Sequence, residues 1–168
     1  MNLYESLLSE FGYNKPILFS EIKFNNWCPQ QISRDLRKLC QDGKVVKFDS
    51  GSYLQYELGI SKLKPATIEI YTNMESRDLH KVKLGNYQIA LRKPRTKIDK
   101  HNAPVLCFLE LMNGIDVETL DEYKRKLIAD YITENRITQR QITKYISFFP
   151  DKTCRNLIES EVIYHVTQ

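Results

Sequence analysis

Apolar positions recur along this chain at two spacings, and the chain changes character where the spacing changes. Leu3, Leu7 and Leu8, with Tyr4 and Phe11, keep a period near 3.6 and predict a first helix that Gly12 ends. Beyond Pro16, "FSEIKF" at residues 19–24 predicts a short second helix that Ser20 can cap. "NNWCP" is a turn-rich break, and Trp27 within it is expected to plug the space between helices. In "PQQISRDLRKLCQ", residues 29–41, Ile32, Leu36, Leu39 and Cys40 fall at i, i+4, i+7 and i+8 and make one apolar stripe. Pro29 suits the first turn, where its missing N–H would be unpaired, and Gly43 stands where the helix should stop. "KVVKF", residues 44–48, then reads as a short strand. Helix, short helix, turn, helix and strand in that order predict a winged helix-turn-helix over residues 1–50.

From residue 51 the spacing is mixed. "SYLQYELG" predicts one or two helical turns with Leu54 and Leu58 on one face, and "TIEIYTN" alternates like a half-buried strand. "LHKVKL" and "YQIALRK", joined by Gly85-Asn86, carry a hairpin signature over 79–92, because a two-residue Gly-Asn loop matches the primed turns that hairpins favour. That loop sets Leu84 opposite Tyr87, Val82 opposite Ile89 and His80 opposite Leu91 as a buried face, with His80 expected as a satisfied core histidine. Lys81, Lys83 and Arg92 then share the opposite, solvent face.

Asp99 can cap the next helix, in which Val105, Leu106, Phe108, Leu109 and Met112 leave most sides apolar, as the centre of a second core would. Asn113-Gly114 ends it. "VETLDEYKRKLIADYITEN" predicts a long amphipathic helix with Leu120, Tyr123, Leu127, Tyr131 or Ile128, and Ile132 inward. The tail overlays the N-terminal segment at an offset of 120 to 121 residues, setting Ile137 on Ile17, Ile142 on Ile22, Pro150 on Pro29 and Leu157 on Leu36. A second helix-turn-helix-like unit is expected there. Its second helix carries Lys152, Arg155 and Asn156 against Asp151, Glu159 and Glu161, a balance that suits packing or a partner better than DNA. The expected fold is α+β: a winged helix-turn-helix over 1–50, then a C-terminal domain over 51–168 of hairpin or small sheet plus helices from 99 on. A fragment from about Ser61 onward is expected to fold alone.

Charge adds a functional direction. The net charge of +4 divides into +1 over residues 1–50, +5 over 51–100 and −2 over 101–168. That distribution suits a nucleic-acid face together with a separate protein-facing region. On the helix of residues 29–41, Gln30, Arg34, Arg37 and Gln41 share the side away from the apolar stripe, Ser33 and Lys38 flank them, and Asp35 is the only acid. Arg and Gln read base edges, while Arg, Lys and Ser hold phosphate oxygens. The candidate DNA-binding set is Gln30, Gln31, Ser33, Arg34, Arg37 and Lys38, with Lys47 from the strand. A secondary basic face would comprise Lys81, Lys83, Arg92, Lys93, Arg95 and Lys97. The competing reading is a non-enzymatic protein-interaction module that keeps the helix-turn-helix fold without binding DNA.

Other chemistry is not called for. The chain has no P-loop, G-x-S-x-G or H-E-x-x-H motif, and Asp116, Asp121 and Glu122 read as helix-start charges. No catalytic residue, cofactor or metal ligand is assigned. Four widely spaced cysteines without a C-x-x-C pair read as free thiols in a reducing cytosol. No apolar run approaches the roughly 20 residues of a membrane helix, and the N-terminus lacks signal-peptide character, so a cytoplasmic protein is expected.

Taken together, "MNLYESLLSEFGYNKPILFSEI", "LRKLCQDGKVVKF", "IEIYTN", "LRKPRTKI", "VLCFLELMN", "LDEYKRKLI" and "NLIESEVIY" resemble, in order along nearly the whole chain, the AbiEi-like antitoxins of bacterial abortive-infection (type IV toxin–antitoxin) systems. The resemblance implies an N-terminal winged helix that binds the operon's own promoter and a C-terminal antitoxin domain. It also implies a nucleotidyltransferase-like toxin, countered without a stable complex. In one respect the chain departs from that pattern: Phe48-Asp49-Ser50-Gly51 runs almost directly into "SYLQYELGI", so the wing is shortened.

Overall fold

The computed structural model describes residues 2–12, 22–24, 27–42, 44–45, 48, 50–73, 75–84 and 87–167. Among them the fold is α+β, with seven α-helices and one three-stranded sheet.

Helix α1 (Leu3–Phe11) begins at a reciprocal cap: Asn2 Oδ1 accepts from the Glu5 N–H at 2.9 Å, and Glu5 Oε2 accepts from the Asn2 N–H at 3.0 Å. It packs against α2 (Pro29–Gln41) through a small core of Leu3, Leu7, Ile22, Ile32 and Leu39, with Trp27 partly buried beside them. Most of the helix expected at 19–24 lies outside the described residues, and Ile22, Lys23 and Phe24 are irregular. The strand expected at 44–48 is described only at Lys44, Val45 and Phe48, none of which is in a strand. The Lys44 and Val45 N–H groups instead donate to the Leu39 carbonyl at 2.9 and 3.3 Å, satisfying the open end of α2. Lys47 and Gly43 lie outside the described residues.

Helix α3 (Gly51–Glu57) starts at buried Ser50, whose hydroxyl accepts from the Tyr53 N–H. It lies against α4 (Ala103–Gly114) so closely that a Cβ on Gly51 would stand 2.3 Å from the Glu110 carbonyl oxygen. Phe48 also belongs to this side of the molecule, its ring centroid 5.5 Å from that of Tyr71. Every residue of α4 from Val105 to Met112 is buried, so no side of the helix faces solvent. It is the axis of the larger core, to which Leu54, Ile128, Ile132, Leu157 and Val162 also belong. Asp99 does not cap it. Its carboxylate accepts from the His101 and Asn102 N–H groups one turn ahead, and Asn102 precedes the helix with Pro104 in the first turn.

Strands β1 (Ile68–Tyr71), β2 (His80–Leu84) and β3 (Tyr87–Arg92) form the sheet in the order β1-β3-β2, with β1 parallel and β2 antiparallel to β3. The pairings Leu84–Tyr87, Val82–Ile89 and His80–Leu91 are those the turn demands. The assignment of faces needs correction. Ala90, between the expected solvent positions, is only 2 % exposed and Ile89 on the other face 1 %, while Gln88 stays open to solvent. Arg92 pairs in register with Tyr71, and Lys81 and Glu69 flank Ala90, so these five share one face, which looks toward Glu110 of α4. His80 is not a core histidine: on an edge strand it remains half-exposed, its Nδ1 3.0 Å from Glu75 Oε2.

A 3₁₀ turn (Val117–Thr119) precedes α5 (Glu122–Glu134), which Asp121 caps. The buried line is Ile128 and Ile132; Tyr123, expected inward, is 67 % exposed because it lies about 140° around the helix from Ile128. The tail is helix, turn, helix: α6 (Gln139–Tyr145), a 3₁₀ turn (Ile146–Phe148) and α7 (Asp151–Glu159). Asn156, counted with the outer face from sequence, turns inward. Its amide donates to the Met112 and Ile115 carbonyls at 2.7 and 3.2 Å and closes the end of α4.

Candidate nucleic-acid interface

Helix α2 is anchored by one line of side chains and shows another to solvent. At 100° per residue, Gln30, Arg34, Arg37 and Gln41 fall within a wedge of about 60°, and buried Ile32 and Leu39 lie about 180° from its middle. The four are exposed, with 74 % of the Arg34 side chain accessible. Ser33 stands about 70° to one side of the wedge's middle and Lys38 about 70° to the other, with Gln31 just beyond Lys38. Arg34 Nε lies 3.1 Å from Asp35 Oδ1, an exposed pair of small energetic weight. Sequence reasoning omitted Lys44, whose ammonium sits 5.2 Å above the Tyr4 ring and ties the end of α2 to α1. Its place after Gly43 gave no hint of that contact.

Two members of the secondary basic face, Arg92 and Arg95, are held in ion pairs. Lys81, Lys93 and Lys97 are exposed, and the Lys83 side chain lies outside the described atoms. Arg92 and Arg95 turn to carboxylates: an Arg92 η nitrogen is 3.0 Å from Glu69 Oε1, and Arg95 Nε is 2.9 Å from Glu110 Oε1. The Arg95 guanidinium also lies 4.8 Å over the Phe149 ring. Burial pushes the Glu110 carboxyl above its ordinary range, opposed by Arg95 and by a hydrogen bond with Tyr71. Tyr71 is pushed up to about 12, chiefly by burial and then by Glu110 and Glu69. This cluster ties the sheet to α4. Its signal in the sequence was Glu110 itself, a lone acid inside "VLCFLELM" that a wholly buried helix can hold only with partners.

Among the described residues, no three His, Cys, Asp or Glu side chains gather where they could hold a metal ion, and no helix is long and apolar enough to cross a membrane. No family model matches the chain, and no curated protein or solved structure matches it either.

Proposed function

We propose that this protein binds duplex DNA through the outer face of α2, within an N-terminal winged helix-turn-helix-like unit spanning about residues 1–50. The observation that carries the reading is the opposition on α2: an amide–guanidinium–guanidinium–amide line stands across the helix from Ile32 and Leu39, with a hydroxyl and an ammonium beside it. A helix seated in the major groove needs base-reading groups along its middle and phosphate-holding groups at its flanks. Lys81, Lys93 and Lys97 would add long-range attraction to the polyanion.

The resemblance to AbiEi-like antitoxins supports the biological setting: a non-enzymatic, cytoplasmic autoregulator of its own promoter and the antitoxin of a bacterial toxin–antitoxin operon. Its functional partner would be a nucleotidyltransferase-like toxin, countered without a stable complex through the part of the chain from residue 51 on. The competing reading, a protein-interaction module without DNA binding, is favoured by exposed Tyr123, Ile158 and Tyr164 on that part.

A salt titration separates the two. Full-length protein should bind duplex from upstream of its own gene, with affinity falling steeply as salt rises because phosphate contacts release counterions. Absence of salt-dependent binding would leave the interaction module standing. A nucleotidyltransferase-like reading frame beside the gene, and its relief by co-expression, tests the antitoxin half.

A further inference from the structure

The order and spacing of the exposed line on α2 carry more than a preference for DNA. Along the axis, Arg34 and Arg37 are about 4.5 Å apart, little more than one base-pair step of about 3.4 Å. Gln30 precedes Arg34, and Gln41 follows Arg37, by about 6 Å, close to two steps. A guanidinium matches the O6 and N7 acceptors of guanine, and a carboxamide matches the N6 donor and N7 acceptor of adenine. The Arg34 bond to Asp35 engages Nε, not the two terminal nitrogens that a guanine edge would take. We propose that α2 reads a purine-rich element of B-form DNA in which two neighbouring guanines are flanked, about two steps out on each side, by adenines.

Guanine pairs with Arg34 and Arg37, and adenine with Gln30 and Gln41. Ser33 and Lys38, to either side of the line, face the two phosphate backbones that wall the groove. The ligand is DNA and not duplex RNA, because a helix with its side chains is about 10–12 Å across. It enters a B-form major groove about 12 Å wide, whereas the A-form major groove is too narrow. The line has the same chemistry read in either direction, so the guanine pair stays central whichever way the helix lies.

This inference rests on the DNA-binding reading above, and the experiment separates the two. Full-length protein selects from a library of duplexes with a randomised centre, and the bound fraction is sequenced. Enrichment of paired guanines with flanking adenines is expected. Replacing either guanine by 7-deazaguanine, which lacks the N7 acceptor, should weaken binding roughly 5- to 150-fold. Arg37→Gln should move the preference at one guanine to adenine, and Arg34→Gln should do so at the other. Unfolding midpoints of both variants, measured alongside, should match the wild type because both side chains are exposed. Salt-dependent binding with no base enrichment, or equal binding of duplex RNA, overturns this inference and leaves nucleic-acid binding in place. No binding to any duplex overturns both readings.

Discussion

Replacing Arg95 by alanine tests what holds the sheet to α4. The Glu110 side chain is 7 % exposed and the Arg95 side chain 31 %, with Nε and Oε1 2.9 Å apart. Deleting one member of a fully buried pair costs about 3–5 kcal/mol, because the other charge is left without compensation. Arg95 is partly open to water, which would hydrate the abandoned carboxylate, so about 2–3 kcal/mol is expected near neutral pH. Of that, about 0.5–1 kcal/mol belongs to the guanidinium over Phe149, a contact indifferent to the state of Glu110. The remainder is pH-dependent, and its sign follows from the carboxyl. Burial raises the folded pKa of Glu110 above its unfolded value, and Arg95 opposes that rise. The native state therefore holds the proton more tightly than the unfolded chain. This contribution to stability is fully present below the ordinary carboxylate range and is lost as pH climbs through the raised value. Without Arg95 the value rises further and the loss at neutral pH deepens. Urea midpoints at about pH 5 and about pH 7.5 should show the Arg95→Ala deficit shrinking toward the Phe149 share as the solution is acidified. Adding Glu110→Gln should recover most of the deficit at neutral pH. A deficit equal at both pH values, with no recovery in the double variant, would refute the ion pair as the cause and assign the loss to packing.

Arg34→Ala and Arg37→Ala should each weaken specific DNA binding by roughly 1–3 kcal/mol in a fluorescence-anisotropy titration, with little change in thermal midpoint. Gly51→Ala should destabilise by about 1–3 kcal/mol, since both backbones at the contact must move apart; an unchanged urea midpoint would contradict that closeness. Asn156→Leu leaves the Met112 and Ile115 carbonyls without their donor and should cost about 2–3 kcal/mol in the same assay. A fragment from Phe48 to the end should fold with a cooperative thermal transition. One from Ser61, which lacks Leu54 and Ile60 of the larger core, should melt lower or not fold.

The hairpin register was legible because Gly85-Asn86 leaves a single way to pair the two strands, and α4 was legible because nothing but a buried helix is apolar on every side. The faces of β3 were not. The face of Ala90 looks toward Glu110 of α4, a contact that no strand pattern encodes, and Ala90 is too small to announce a covered position. The ion pairs of Arg92 and Arg95 were hidden for a related reason. Counting Arg92 and Arg95 as surface charge ignored Glu69 and Glu110, which lie 23 and 15 residues away and meet them only in the fold. Tyr123 was misplaced because several stripes fit α5, and Ile128 and Ile132 outcompete it for the core. The outer face of α2 was legible as an exposed polar surface, since Ile32 and Leu39, with Leu36 beside them, fix which side turns inward. Its ligand is a matter of chemistry that periodicity does not encode.

The complete enclosure of α4 also has a consequence in time. Its central amides have no solvent-facing side from which a local fluctuation could open them, so their deuterium uptake must wait for the surrounding body to come apart as a whole. Amides on the outer side of α2, held by a smaller cluster, exchange through openings that cost far less. The exchange rates of the two helices should therefore stand well apart, with the outer side of α2 opening and closing many times within one lifetime of the α4 core.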